Sequence, residues 1–169
     1  MKLVQAPQIE QEISRLISRS FIHLDDSDRQ LMKRFGLTVT QFWALVHLQD
    51  EEGRSLSELA DLLICDKSNV TSVVDKLEET GLAERKRGKA GDRRYTRVVL
   101  TKEGHELRNR VVAAHEHLTQ LRLRILPPEV QHQLVTSLQA LSLVLQTQFE
   151  ADEVTTFIEL AVEQSQTEV

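Results

Sequence analysis

The chain is poor in the residues that staple or break a fold. It has one cysteine, Cys65, so no internal disulfide framework is available, and a lone thiol fits a reducing compartment. Three prolines and six glycines in 169 residues leave few helix breaks. With many Leu, Glu and Gln, that scarcity argues against an all-β design and for helices. No apolar run approaches the roughly 20 residues of a membrane span. The opening MKLVQAPQIEQEISRL is too polar for the apolar core of a signal peptide. The expectation is a cytoplasmic protein with no membrane partner. No Gly-rich phosphate loop and no nucleophile–base arrangement can be read, so neither an enzyme nor a cofactor is expected. Six histidines (His23, His47, His105, His115, His117 and His132) contain no i, i+4 ligand pair, and His115 and His117 point to different helix faces. No metal site is expected.

What the chain does have is one concentrated charge. Residues 85–94 read RKRGKAGDRR, six basic side chains around two glycines and Asp92. From Arg85 to Arg97 the formal charge is +6, in a chain whose total is −5. A positive site on an acidic body still binds phosphate, while the body helps to reject non-specific contacts.

Periodicity orders the elements. Ile9, Ile13, Leu16, Ile17, Phe21 and Leu24 keep helical spacing over 8–35, with LDDSD at 24–28 a place for a bend or break and Gly36 a stop. Thr38 with Gln41, and Ser55 with Glu58, form capping boxes, predicting helices over 41–51 and 56–63. Asp66 is placed to cap the next helix, which Gly81 ends. LAERKR and RYTRVVL then alternate as strands do, with Val98 and Leu100 on one face and GKAGD as hairpin-loop chemistry between them. Thr101 opens a helix over 102–126, stopped by Pro127 and Pro128, and Pro128 starts another to about 149. Val154, Phe157, Ile158, Ala161 and Val162 suggest a last amphipathic turn or two.

The helices on either side of LICD form a helix-turn-helix candidate, whose second helix would read the major groove of DNA. On that helix Val70, Val73, Val74 and Leu77 make one apolar stripe. Ser68, Ser72 and Asp75 fall opposite, flanked by Asn69, Thr71 and Lys76. Hydroxyls and amides of this kind pair with base edges, and a helix start, here at Lys67, favours phosphate. An ordinary surface helix carries similar residues, and a lone basic loop is ordinarily a solvated charge run. Their joint occurrence is the signal: a basic hairpin directly after a helix-turn-helix is a wing.

The stretch LSELADLLICDKSNVTSVVDKLEETGLAERKRGKAGDRRYTRVVLTKEG resembles the winged-helix region of the MarR family of bacterial transcriptional regulators. The closest fit is DRRYTRVVLTKEG, with Asp92, Arg94, Leu100, Thr101 and Gly104 at the family's wing positions. FGLTVTQFWALVHL fits the preceding helix. The resemblance covers about residues 35–105. It implies a mainly α fold with a small β-hairpin, in which a winged helix-turn-helix is flanked by N- and C-terminal dimerisation helices. The division is 1–36 for the first helix, 37–101 for the DNA-binding domain and 102–169 for the last helices and tail.

The resemblance also implies a homodimeric repressor at palindromic promoter sites. The 66–80 helix would enter the major groove of double-stranded DNA and the 87–95 wing the minor groove. The DNA-binding set is then Lys67, Ser68, Asn69, Thr71, Ser72, Lys76, Arg87, Lys89, Arg93 and Arg94. Arg94 would enter the minor groove with Asp92 as its brace, Arg93 being the alternative. A winged-helix module that binds protein rather than DNA is the other reading. Ile64 stands where many family members carry Gly, so the turn is expected to avoid a left-handed residue. Release by a small ligand or by oxidation is implied. Relatives that sense oxidants usually carry the reactive cysteine in the first helix, so Cys65 is expected to be a small buried residue in the turn. His23, Phe35, Trp43 and His47 are the candidate pocket for a small aromatic or lipophilic effector.

Overall fold

The computed structural model describes residues 6–48, 51–87, 96–150, 158, 159 and 162, by backbone alone at 6, 7, 87 and 148–150. The elements run α1 (Ala6–Arg34), α2 (Val39–His47), α3 (Leu56–Leu63), α4 (Lys67–Glu79), β1 (Ala83–Arg87), β2 (Thr96–Leu100), α5 (Lys102–Leu123) and α6 (Pro128–Glu150). Two compact units result, Met1–Leu118 and Thr119–Val169. Among the described residues, no helix is long and apolar enough to cross a membrane.

The first unit holds the core. Met32 of α1, Leu45 of α2, Leu59 of α3, Val70, Val74 and Leu77 of α4, Val98 of β2 and Val111 of α5 are fully buried together. Burying each such side chain stabilises by about 1.5–3 kcal/mol. The α4 stripe read from the sequence is thus the face that packs inward, and Val73 joins it partly buried. Both capping boxes form. The Thr38 hydroxyl accepts from Gln41 N at 3.2 Å while Gln41 Oε1 accepts from Thr38 N at 2.8 Å. Ser55 and Glu58 do the same at 3.2 and 2.6 Å. Each box satisfies two backbone donors that a helix start leaves open.

Several boundaries differ from expectation. α1 runs unbroken through LDDSD, because Asp25 pairs with Arg29 at 2.7 Å and Gln30 donates to Asp26 at 2.9 Å, one turn on in each case. α2 stops at His47, short of 51, and α5 at Leu123, short of 126. Val99 is buried as well as Val98 and Leu100, so β2 does not alternate. Arg54 pairs with Val98 as an extra antiparallel bridge, and a Cβ on Gly53 would sit 2.6 Å from Val99 Cγ1. Both faces of β2 are therefore covered. Of the five apolar residues expected to form a C-terminal segment, only Ile158 and Val162 lie among the described residues.

The start of α5 is fitted tightly to the turn before β1. Thr101 Oγ1 accepts from Gly104 N at 3.0 Å and donates to the Gly81 carbonyl at 2.6 Å. Thr101 N donates to the Leu82 carbonyl at 3.1 Å. A Cβ on Gly104 would lie 1.9 Å from that same oxygen.

The second unit pairs the end of α5 with α6. Gln131 Nε2 donates to the Leu126 carbonyl at 2.8 Å and so closes the turn around Pro127. Along α6, Val130, Leu134, Val135 and Leu138 are exposed apolar residues.

Candidate nucleic-acid interface

α3 ends on Ile64 at φ 48° and ψ 52°, in the left-handed region. This overturns the expectation that the turn avoids that conformation. Its cause is the hydrogen bonding of the helix end. The Ile64 N–H reaches the Asp61 carbonyl at 3.3 Å and the Cys65 N–H reaches the Ala60 carbonyl at 3.1 Å, a pattern that needs a left-handed residue between them. A β-branched side chain there costs about 1–2 kcal/mol. Ile64 is 93% exposed, so no burial offsets that cost. Cys65 is half-buried against the core, where a buried small residue was expected in the turn.

α4 follows, and its outward face is the one expected. Lys67, Ser68, Asn69, Ser72 and Lys76 are exposed and Thr71 is half-buried. Asp66 occupies the cap position, but its side chain makes no capping hydrogen bond. The first-turn N–H groups of α4 are therefore not covered by that carboxylate, which is the arrangement an incoming phosphate uses. Two residues are already engaged. Thr71 Oγ1 donates to the Lys67 carbonyl at 2.8 Å, leaving its lone pairs and methyl for an outside partner. Lys76 Nζ lies 2.8 Å from Glu79.

The hairpin next to α4 pairs β1 and β2 antiparallel, from Ala83↔Leu100 to Arg87↔Thr96. Lys89, Asp92, Arg93 and Arg94 lie outside the described residues, as does the side chain of Arg87. The strands that carry them are firmly held. Arg85 of β1 donates through its guanidinium to Glu78 and, at 2.7 Å, to Asp75, both on α4. The Arg85 backbone N–H also reaches Glu78 at 2.9 Å. Arg97 of β2 donates to the Gly53 carbonyl at 2.8 Å and faces Glu58 of α3 at 3.6 Å. Lys86 faces Glu84 at 3.1 Å. So three of the seven basic residues between Arg85 and Arg97, namely Arg85, Lys86 and Arg97 themselves, face carboxylates of the protein. Sequence reasoning missed Arg85 and Arg97 as anchors, because no periodicity links β1 to α4 or β2 to residue 53.

The expected effector residues separate. A groove of about 710 Å³ runs between α1, α2 and the end of α3, and Trp43 and His47 line it. His23 and Phe35 do not. His23 is exposed on α1, and Phe35 packs against the core with Arg110 6.0 Å from its ring centroid. They were expected where the first helix meets the DNA-binding part, and both do lie on α1 or at its end, but the order of elements does not say which residues α2 leaves uncovered. The groove adds Phe21, Asp25, Asp28 and Ile64. Burial, and then the charge of Arg54, hold the His47 imidazole below its usual pKa, so it is neutral near pH 7. Beneath Trp43, the His115 ring meets Phe42 at 5.0 Å and Trp43 at 5.7 Å between centroids, and His115 Nε2 lies 3.6 Å from Asp28 Oδ1. Among the described residues, no three His, Cys, Asp or Glu side chains gather as a metal site would require.

Comparison with known proteins fits this geometry. A family model described as "MarR family" matches residues 35–94. The chain is 35% identical over 113 residues to the transcriptional repressor MprA of Escherichia coli K12, covering 63% of this chain and 64% of that protein. It is 30% identical over 100 residues to the HTH-type transcriptional regulator MhqR of Bacillus subtilis, covering 59% of this chain and 68% of that one. Among solved structures, CouR of Rhodococcus jostii RHA1 bound to p-coumaroyl-CoA superposes with a TM-score of 0.68 at 27% identity, over 82% of this chain and 95% of that one. The match to MprA thus spans a little under two thirds of that repressor's length.

Proposed function

The chain belongs to the MarR family, and on that footing we propose that it is a homodimeric, sequence-specific DNA-binding transcriptional repressor. It acts in the cytoplasm and carries no enzymatic activity. The observation that bears most weight is the coupling of two surfaces. α4 turns a polar, hydroxyl-rich face outward, and the Arg85 clamp fixes β1, the strand that leads into the basic loop, to that same helix. α4 then lies in the major groove, where Lys67, Ser68, Asn69, Thr71 and Ser72 meet bases and phosphates. The 87–95 wing lies over the adjacent minor groove. Arg94 enters it with Asp92 as brace, and Arg87, Lys89 and Arg93 meet phosphate.

Residues 1–36 and 102–169 serve dimerisation, and 37–101 the DNA. In support, α1 leaves Ile9, Ile13, Leu16 and Ile17 between 42% and 48% exposed along one stripe, and α6 has an apolar stripe of its own. A chain that exposes such stripes needs a partner to cover them. Palindromic sites follow from two-fold symmetry. The groove at Trp43 and His47 takes a small aromatic or lipophilic effector, whose binding next to the α3–α4 turn releases the DNA.

Binding to duplex DNA by fluorescence anisotropy across a salt series tests the reading. The affinity is expected to fall steeply as salt rises, with genomic fragments selecting one palindrome. Affinity indifferent to salt would overturn it and favour the protein-binding reading instead.

A further inference from the structure

We propose that the groove between α1, α2 and the end of α3 selects a hydrophobic organic cation. This rests on reading the groove as the effector site. Its volume, about 710 Å³, is that of a pocket for a drug-sized ligand. Phe21, Trp43 and Ile64 give it apolar walls, and Trp43 offers a ring face that attracts cations.

The charges on the lining side chains are one-sided, with Arg54 acting on His47 from outside the lining. Asp25 and Asp28 line the groove from consecutive turns of α1, and no Lys or Arg stands among the described lining residues. At the helical 100° per residue, Asp28 falls roughly 40° from Leu24 and about 20° from Phe21, inside the apolar stripe rather than opposite it. A carboxylate there, only 17% exposed, is poorly solvated. It faces His115 on one side, and Asp25 holds Arg29, itself 72% exposed and therefore largely screened by water. His47 is the remaining titratable wall residue. Being neutral near pH 7, it brings no positive charge to receive an anion. A bound anion would set its charge beside two carboxylates. A bound cation gains from both and from the indole.

Trp43 is the single tryptophan of the chain, so its emission reports the groove directly. The full-length protein is titrated with tetraphenylphosphonium and with tetraphenylborate, which share a shape and differ in charge. The phosphonium is expected to change Trp43 emission saturably and to bind at least about tenfold more tightly than the borate. Asp25→Asn, at the groove edge, and Asp28→Asn should each reduce that ratio, and circular dichroism reports whether either variant unfolds. Asp25→Asn alone suffices for the test if loss of the His115 contact unfolds Asp28→Asn. Since the whole chain is acidic, a ratio that survives the folded substitutions reflects net charge and overturns the proposal. Equal or tighter borate binding overturns it too, while leaving the effector pocket standing. If neither ion alters Trp43, the effector-site reading itself falls.

Discussion

Arg85 and Glu78 are joined twice: one carboxylate on α4 accepts both the backbone N–H of Arg85, at 2.9 Å, and its guanidinium. Asp75, one turn earlier on α4, takes the other end of the fork at 2.7 Å. Side-chain exposures of 29% for Arg85 and 28% for Glu78 make this more than a surface pair. The relationship ties β1, at the root of the hairpin, to the helix beside it.

Arg85→Ala should therefore do two things. Charge-assisted hydrogen bonds of this kind contribute about 1.5–3 kcal/mol each, and urea denaturation should show a loss in that range. Anisotropy should show weaker binding to the selected palindrome than Lys86→Ala produces. Equal effects from both would reduce Arg85 to one more cation in the run.

Ile64→Gly should leave the protein as stable or raise its stability, by up to about 1.5 kcal/mol. The left-handed penalty of about 1–2 kcal/mol disappears, less about 0.5–1 kcal/mol for the looser unfolded chain. Nothing buried is lost, since Ile64 is exposed. A marked drop in melting temperature would mean that its side chain is covered in the assembled protein.

Gly104→Ala should lower stability by about 2–3 kcal/mol, an overpacking effect. Its Cβ would meet a backbone carbonyl, that of Leu82, which also accepts from Thr101 and so cannot easily retreat. A neutral result in denaturation would show that α5 shifts freely at its start.

Acidification should destabilise the first unit in two windows. His47 has a folded pKa held below its ordinary 6.5 by burial and then by Arg54. The unfolded chain therefore binds the proton first, and stability falls as pH drops through that range. Glu58 is held below its ordinary 4.5, first by the Ser55 backbone N–H, then by its hydroxyl, with Arg97 and Arg54 adding to the effect. Its contribution is present above the unfolded pKa and is lost as pH falls through the folded one. Urea midpoints measured against pH should flatten below pH 6.5 in His47→Gln and below pH 4.5 in Glu58→Gln, which keeps an acceptor for the cap.

On DNA, Lys67→Ala should weaken binding to every duplex and reduce the salt slope by about one. Asn69→Ala should cost about 1–3 kcal/mol on the palindrome and little on random DNA. Arg94→Ala should weaken binding with the sedimenting dimer intact. An equal loss on both DNAs would move Asn69 to the phosphate contacts.

The amino-acid sequence by itself determined the order and type of the elements. Capping boxes at Thr38 and Ser55, the stripe of Val70, Val74 and Leu77, and the change of period after Gly81 are local signals that tertiary packing reinforces. The polar face of α4 followed from the same spacing. Tertiary structure alone decided which charges stay available. Arg85 and Arg97 look like their neighbours in the run, and only folding brings Glu78, Asp75 and Gly53 against them. The left-handed Ile64 was missed for a local reason, since hydropathy patterning does not show how the carbonyls of Ala60 and Asp61 are satisfied where α3 ends. Tertiary structure also parted Trp43 and His47 from His23 and Phe35. Helical spacing places residues on a face, but which part of a face stays open depends on elements far away in the chain.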